Sequence, residues 1–523
     1  MDNKSASRFV RGATILSAAG IICKLIGAVY RIPLTNIIGT EAMGIYSKAY
    51  LVYALLWIIS TSGLPSAIAK TVSEYRAVGD EGNANKVFVL SRRLLLTVGA
   101  VFTVLMILLS GAIASSLGIG GAEIAVICIA PSLMLVVVSS YMGYFQGMQQ
   151  MMPSAVTQVI GSAGKLAAGT ALALLWAKKG IIYAASGALL GVTVSELISI
   201  AFIHYRYVRH RHHYPIPPPI AQISGRDMAK RLLRLAVPIT LCGAAIPLLN
   251  TLDAYLITHC LSFKGYSHSQ INSMYGVLNG MVSTIVNLPG ALAMSFSVAI
   301  LPFMSHYKVT GDMDGMRTSS TIASKLALLL GLPCAVGLFI LARPIIEFLY
   351  PISSSVSLEH QLLGVELLRS ICPAILGLCF MHAFNGALQG VGKTRLPLIS
   401  IGVAAVIKLG LGAALMLLTD LGIKSAPIAS SAAFITAGVL NLIFAVRHCG
   451  LRLNVRTPLL CLLCSLSVAV ICIVSSYLFP NMSWAVMLLT VLVSVLCYLL
   501  LVWVLKIFTD KEISTVFNKK NEL

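Results

Sequence analysis

Long apolar runs alternate with short polar breaks along the whole chain. A helix needs roughly 20 apolar residues to cross a membrane, and each run is at least about that long. An even number of crossings places both termini on one side of the membrane. The pattern predicts fourteen spanning helices, over 11–38, 44–69, 89–113, 121–147, 155–177, 180–204, 232–261, 272–304, 320–342, 363–389, 396–418, 424–447, 457–479 and 484–507.

Composition and charge support this interpretation. Of the 523 residues, 58% are hydrophobic and 11% are charged, whereas about a quarter of a soluble domain is charged. The net charge of +20 lies mainly in alternate polar breaks. Those on the N-terminal side hold 27 of the 38 Lys and Arg residues, and the opposite loops hold five. By the positive-inside rule, we expect a bacterial cell-membrane protein with both termini cytoplasmic, bound to membrane lipids and not to nucleic acid.

Two pairs of segments indicate an internal duplication. "SEYRAVGD" at 73–80 matches "SHYKVTGD" at 305–312, and Gln146 and Gln389 each precede an intramembrane lysine by nineteen residues, Lys165 and Lys408. The copies are six spans apart, so they share one orientation. The prediction is an all-α fold with two parallel-repeat lobes of six helices around a central cavity. Its parts are lobes at 1–204 and 232–448, a basic cytoplasmic linker at 205–231 whose prolines favour an extended path, and two further helices with a tail at 449–523.

Two cations interrupt the first apolar run. Lys24 and Arg31 are seven residues apart, so both lie on one helical stripe with Gly20 and Gly27, roughly 10 Å apart along the axis. A charge facing lipid costs several kcal/mol, so the stripe should face the bundle interior or a wet cavity. The pair then predicts a site for an anionic group such as phosphate. Salt bridges between helices, or snorkelling to the membrane surface, would explain the same pattern.

Other charges inside the predicted spans extend this set. Lys48, Lys165 and Lys408 are further candidate cavity cations. Asp253 could pair with a first-helix cation or carry a coupling proton or sodium ion, and pairing is the simpler interpretation. Glu366 and Arg369, three residues apart, are expected to pair with each other, and Glu196 has no evident partner.

Cysteine and histidine clusters have ordinary explanations. The CxxC formed by Cys461 and Cys464 lies mid-span without a second ligand pair, which favours core packing over a metal or redox site. His204, His210, His212 and His213 flank or lie in a basic loop that suits anionic headgroups. No metal site and no cofactor is predicted.

Several segments carry a family resemblance. "RGATILSAAGIICKLIGAVYRIPLTNIIGTEAMGIYS", "SGLPSAIAKTVSEYRAVGD", "NLPGALAMSFSVAILP" and "NGALQGVGKTRLP" resemble the polysaccharide-transporter branch of the multidrug/oligosaccharidyl-lipid/polysaccharide exporter superfamily. Its stage V sporulation protein B-like and lipid II flippase-like members are the most similar.

The resemblance implies flipping of an undecaprenyl-pyrophosphate-linked sugar precursor between leaflets, with first-helix cations matching Lys24 and Arg31 in the cavity. It also makes cell-wall synthesis enzymes candidate partners. In the family, arginines also line the second and eighth helices. This chain departs from that pattern: Lys48 lies nearer the outer end of span two, and span eight has only the uncharged polar residues Asn279, Ser283, Thr284 and Asn287.

Two other functions are considered. A cation-coupled multidrug exporter of the same superfamily would be expected to have an acidic cavity, whereas the predicted interior is basic. A membrane-embedded polymerase or ligase of lipid-linked glycans would need a catalytic external loop. The longest such loop, near 343–362, has Glu347, Glu359 and His360 without a recognisable catalytic arrangement.

Overall fold

A computed structural model describes residues 3–213, 217–220, 223–451, 454–479 and 482–508. Throughout these ranges the regular secondary structure is helical, and no β-strand occurs in them. The predicted all-α class is therefore confirmed. The chain divides into two compact units, Met1–Gly276 and Val277–Leu523.

The first unit contains ten α-helices and one 3₁₀ segment among its described residues. The 3₁₀ segment, Ala130–Val137, begins next to Pro131, which lacks the backbone N–H of a regular helix. The helices are α1 Asn3–Thr61, α2 Leu64–Ala77, α3 Glu81–Leu108, α4 Ser110–Ser116, α5 Glu123–Ile129, α6 Val138–Gly147, α7 Met151–Ala177, α8 Ile181–His213, α9 Gly225–Phe263 and α10 His268–Gly276.

The second unit opens with a π-helical turn, Val277–Val282, and contains a 3₁₀ turn at Gly422–Lys424. Its described α-helices are α11 Ser283–Thr310, α12 Met313–Ile340, α13 Ala342–Leu349, α14 Leu358–Gly390, α15 Arg395–Leu418, α16 Ser425–Cys449, α17 Arg456–Leu478 and α18 Trp484–Val504.

The number of spans differs from the predicted fourteen. Within the described residues, 12 helical stretches are long and apolar enough to cross a membrane, or up to 13 if the bent pair Gly225–Leu241 and Gly243–Phe263 is one span. One stretch, Ala18–Ala77, covers two predicted spans and includes a break at Gly39. A polytopic membrane protein is confirmed, and the exact count of fourteen is not.

Both copies of the first repeated segment adopt the same local structure. Each ends a helix with a glycine in the left-handed region, Gly79 at φ 77° and Gly311 at φ 73°. The following aspartate then caps the next helix, Asp80 accepting from the backbone N–H of Asn83 and Asp312 from that of Gly315. Matching backbone at matching sequence supports the predicted duplication.

The predicted linker is shorter than expected. Helix α8 continues to His213 and α9 begins at Gly225, so much of 205–231 is helical. Arginine and histidine side chains are compatible with a helix. Pro217 to Pro219 lie outside regular structure, since proline lacks the backbone N–H of a regular helix. Ser224 then caps α9, its side chain accepting a hydrogen bond from the Arg226 N–H. The lobe boundaries themselves stay a prediction.

The π-helical turn leaves a backbone carbonyl with two side-chain partners. The carbonyl oxygen of Gly280 accepts from the hydroxyl of Thr284 at 2.7 Å and from that of Tyr350 at 3.1 Å. Tyr350 is fully buried. A wider turn shifts carbonyls out of the i to i−4 ladder, and here the side chains satisfy one of them.

The CxxC pair lies in a hydrophobic cluster of the second unit. Cys461 and Cys464 on α17 are buried beside Leu328, Val468 and Tyr498, and both are free thiols. This agrees with the predicted packing role.

Candidate functional site

Helix α1 has two halves that are separated by a break at Gly39. The backbone there has φ 84° and ψ 170°, a conformation that only glycine adopts without strain. Lys24 and Arg31 lie before the break, and Lys48 lies after it. The break therefore assigns the predicted cations to two differently oriented segments.

One face of the first half of α1, around Lys24, is open to its surroundings. Lys24 is exposed and Arg31 is partly buried. A Cβ atom added at Gly20 or Gly27 would meet no atom within 4 Å. The glycines of the predicted stripe thus leave open space beside Lys24 in the conformation described.

The lysine in the second half of α1 is completely enclosed by neighbouring segments. Lys48 has no exposed surface. Its Nζ donates to the backbone carbonyl of Leu117 at 2.8 Å and to Oδ1 of Asn272 at 2.8 Å. It also lies 5.5 Å from the centre of the Tyr275 ring. Neutral dipoles and a cation–π contact replace the water that burial removes.

Close backbone packing surrounds this buried lysine. A Cβ at Gly44 would overlap the carbonyl of Asn272, and one at Gly276 would overlap that of Thr40. The second half of α1 and α10 therefore touch through glycine faces. A substrate could reach Lys48 only after these contacts opened, so its predicted cavity role stays a prediction.

Lys165 on α7 belongs to a third environment, partly buried within the first unit. Its Nζ donates to the hydroxyl of Tyr50 at 3.4 Å and lies 5.3 Å from the centre of that ring. It also interacts electrostatically with Glu196 of α8. The nearby positive charge of Lys165 was not evident for Glu196 from the sequence.

The remaining candidates are partly buried and lie on other helices. Asp253 is on α9, which packs against α1, and Lys408 is on α15. Glycines near Lys408 have open space, since a Cβ at Gly402 or Gly410 meets nothing within 4 Å. Their predicted roles are not tested by these positions.

One predicted ion pair is wrong. Glu366 does not pair with Arg369; its Oε2 lies 2.6 Å from Nζ of Lys424, and Arg369 lies over the Phe339 ring at 5.9 Å. Packing of α14 against α16 brings Lys424, which directly precedes α16, to the carboxylate of Glu366. The i,i+3 preference for Arg369 is too weak to prevent this.

A row of aromatic rings was missed by the sequence analysis. Successive ring centres of Tyr46, Tyr50, Tyr53 and Trp57 lie 5.4 to 5.8 Å apart. Their spacing of four, three and four residues places them on one helical face, which was readable from the sequence. The row supplies the hydroxyl that Lys165 uses.

No metal centre is evident in the described part of the chain. Groups of three or more His, Cys, Asp or Glu side chains that could hold an ion are absent there. His204 instead shares a hydrogen bond with the hydroxyl of Tyr141, at 3.0 Å from Nδ1.

Comparison with known proteins places this arrangement in a family. Residues 9–308 match the family described as "Polysaccharide biosynthesis protein", which is more than half of the chain. The chain belongs to this family. Residues 279–413 also match the MatE family. The predicted resemblance to the polysaccharide-transporter branch of the superfamily is therefore confirmed.

Individual relatives extend over most of the chain. The lipid II flippase MurJ of Bacillus subtilis (strain 168) is 27% identical over 85% of this chain and 84% of its own length. Stage V sporulation protein B of the same organism is 26% identical over 80% of each. A structure described as "Lipid II flippase MurJ, inward closed conformation" has a TM-score of 0.70 at 18% identity, covering 94% of this chain and 99% of that one. The last similarity concerns the fold alone.

Proposed function

We propose that this membrane transporter of the polysaccharide family is a flippase for an undecaprenyl-pyrophosphate-linked cell-wall precursor, lipid II or a related polysaccharide intermediate. The similarity to the B. subtilis lipid II flippase over 85% of the chain supports the substrate class. The observation that carries the mechanism is the open face of α1, where Lys24 is exposed beside two uncrowded glycines.

The chemistry of that face suits a diphosphate. Arg binds phosphate through a planar fork of donors, and Lys binds it as a point charge. Free space at Gly20 and Gly27 lets a headgroup approach the backbone of α1. The cations would hold the diphosphate while the sugars cross in a hydrated cavity and the prenyl chain stays in lipid.

Alternating access between two six-helix lobes at 1–204 and 232–448 completes the proposal. The matching turns at Gly79 and Gly311 support a duplicated architecture. The excess of cations in alternate breaks supports cytoplasmic termini in a bacterial cell membrane. Lys165 and Lys408 would be secondary cavity contacts, and Asp253 a salt-bridge or coupling group. A transporter needs no catalytic residue, so no enzymatic activity and no cofactor is proposed. Cell-wall synthesis enzymes would be its protein partners.

A multidrug exporter is the second candidate, because residues 279–413 match the MatE family. Such an exporter would transport cationic drugs, for which a cationic dye serves as a probe. The open face of α1 carries cations instead of acids, which favours an anionic substrate.

The decisive experiment is reconstitution in liposomes with fluorescent lipid II and a leaflet-specific quencher. We expect Lys24→Ala and Arg31→Ala each to lower the flipping rate about tenfold, since a lost charge-assisted contact is worth roughly 1.5–3 kcal/mol. The matched control is Lys179→Ala, which removes an exposed lysine from the turn between α7 and α8. Equal rates in all variants would reject the α1 site, and transport of a cationic dye without lipid II would favour the exporter.

A further inference from the structure

A charged cavity outside the α1 site lies between α2 and α9 in the first unit. Its volume is about 470 Å³, within the range of small-molecule sites. It is formed by the second half of α2 and the first turns of α9, segments that the charge pattern assigns to the cytoplasmic side. The lining residues are Lys70, Glu74, Asp227, Lys230, Arg231, Arg234 and Leu235.

The two helices that form the cavity are held together by a close contact between the start of α2 and the middle of α9. The backbone N–H of Gly63 donates to Oγ1 of Thr240 at 3.2 Å. A Cβ at Gly63 would overlap the carbonyl of Ala236, so only glycine allows this approach. Leu232 and Ala236 are buried on the inner face of α9. The cavity is therefore set by helix packing and does not depend on a loop.

The cavity holds four cations and two carboxylates. Glu74 is paired with Arg231 at 2.7 Å, and the guanidinium of Arg231 lies 6.0 Å from the centre of the Tyr75 ring. Lys70, Lys230 and Arg234 have no ion pair within the described residues. Asp227 alone remains to balance three cations, so the cavity has an excess of two positive charges.

An apolar stripe continues from these cations along α9. Lys230, Arg234, Val237 and Leu241 follow one another at intervals of four, three and four residues, which places them on one face of the helix. Val237 is 49% exposed and Leu241 is 68% exposed. A ligand that fits both parts would have a phosphate at one end and an alkyl chain at the other.

We propose that this cavity binds the phosphate of a net-anionic membrane lipid, with an acyl chain lying along Val237 and Leu241. Lys230 and Arg234 donate to the phosphate oxygens, while Glu74 holds Arg231 at the rim. Basic pockets between membrane helices on the cytoplasmic side bind anionic lipid headgroups, and the charge pattern places these helix ends on that side. The site is separate from the α1 face and does not depend on the flippase proposal.

Binding of short-chain lipids to the purified full-length protein in maltoside micelles tests this site. The probes are dioctanoyl phosphatidic acid, dioctanoyl phosphatidylcholine and inorganic pyrophosphate, each titrated by microscale thermophoresis. The variant is Arg234→Gln, and its matched control is Arg226→Gln, which removes one exposed arginine from the same helix but outside the cavity. Both side chains are exposed, so neither change should disturb folding.

We expect phosphatidic acid to bind wild type more tightly than phosphatidylcholine. Arg234→Gln should weaken its binding about tenfold, and Arg226→Gln less than about twofold, because one charge-assisted contact is lost only in the first. Equal weakening in both variants would show diffuse surface attraction and overturn the site. Equal affinity for both lipids would overturn the role of charge. Pyrophosphate binding as tight as that of phosphatidic acid would overturn the lipid assignment in favour of a soluble phosphate. None of these readouts requires flipping.

Discussion

The two halves of α1 place a lysine in opposite environments, one exposed and one fully buried. Before Gly39, Lys24 is exposed beside glycines with open space. After Gly39, Lys48 is fully buried, with its ammonium on neutral oxygens and glycines pressed against backbone. The same residue type on one helix is therefore enclosed in one half and exposed in the other. The surroundings of a cation, and not only its presence in a predicted span, differ between the two halves.

The largest expected effect is a difference in stability between glycine substitutions in the two halves of α1. Gly44→Leu should destabilise the protein by about 3 kcal/mol or more, because its Cβ would overlap the Asn272 carbonyl and helix backbones cannot shift cheaply. Gly20→Leu adds the same side chain to open space and should change stability little. Thermal unfolding in detergent, followed by fluorescence, compares them. Equal losses of stability would show that the halves do not differ in packing.

A smaller effect separates the two lysines. Lys48→Met should lower stability by about 1–3 kcal/mol, because the Leu117 carbonyl and the Asn272 side chain lose a buried donor. Lys24→Met should change stability by less than about 0.5 kcal/mol, as exposed substitutions usually do, while still lowering flipping. The same unfolding assay and the liposome assay give both readouts. A stable Lys48→Met protein would remove the structural role assigned to Lys48.

The smallest effect concerns Lys165, whose exposure is intermediate between that of Lys24 and that of Lys48. Tyr50→Phe removes the hydroxyl that accepts from Lys165 at 3.4 Å but keeps the ring beneath the ammonium. A loss of about 0.5–1 kcal/mol is expected, typical of one hydrogen bond. Tyr477→Phe, on an exposed tyrosine of α17, is the control. If both changes leave the unfolding temperature the same, the hydroxyl contributes nothing to holding Lys165.

Local patterns in the sequence predicted the features that depend on residues near one another along the chain. Apolar run length gave the helical membrane class, and the seven-residue spacing placed Lys24 and Arg31 on one stripe with glycines that prove uncrowded. Contacts between distant segments were beyond such patterns. The acceptors of Lys48 lie 69 and 224 residues away, and no spacing rule connects them.

The same limit explains the errors. Pairing of Glu366 with Arg369 relied on the i,i+3 rule, but helix packing brings Lys424 to the carboxylate. The aromatic row on α1 is an exception, since its spacing of four, three and four residues is local and is visible in the sequence. The cavity between α2 and α9 combines residues of α2 with residues of the predicted linker and of the helix that follows it, so no single segment indicated it.

The π-helical turn Val277–Val282 lets the chain carry one extra residue without turning the segments on either side of it. Such a turn spreads one more residue over the angle that an α-helical path would cover. Deleting one residue there would let a regular α-helix form while the following side chains of α11 kept nearly the same direction. The same deletion in the middle of α11 would rotate every following side chain by about 100° about the helix axis. A helical wheel drawn at about 100° per residue across the π turn consequently misplaces Ser283 and Asn287 relative to Leu278, and a one-residue deletion should be tolerated better in this turn than in the helix that follows it.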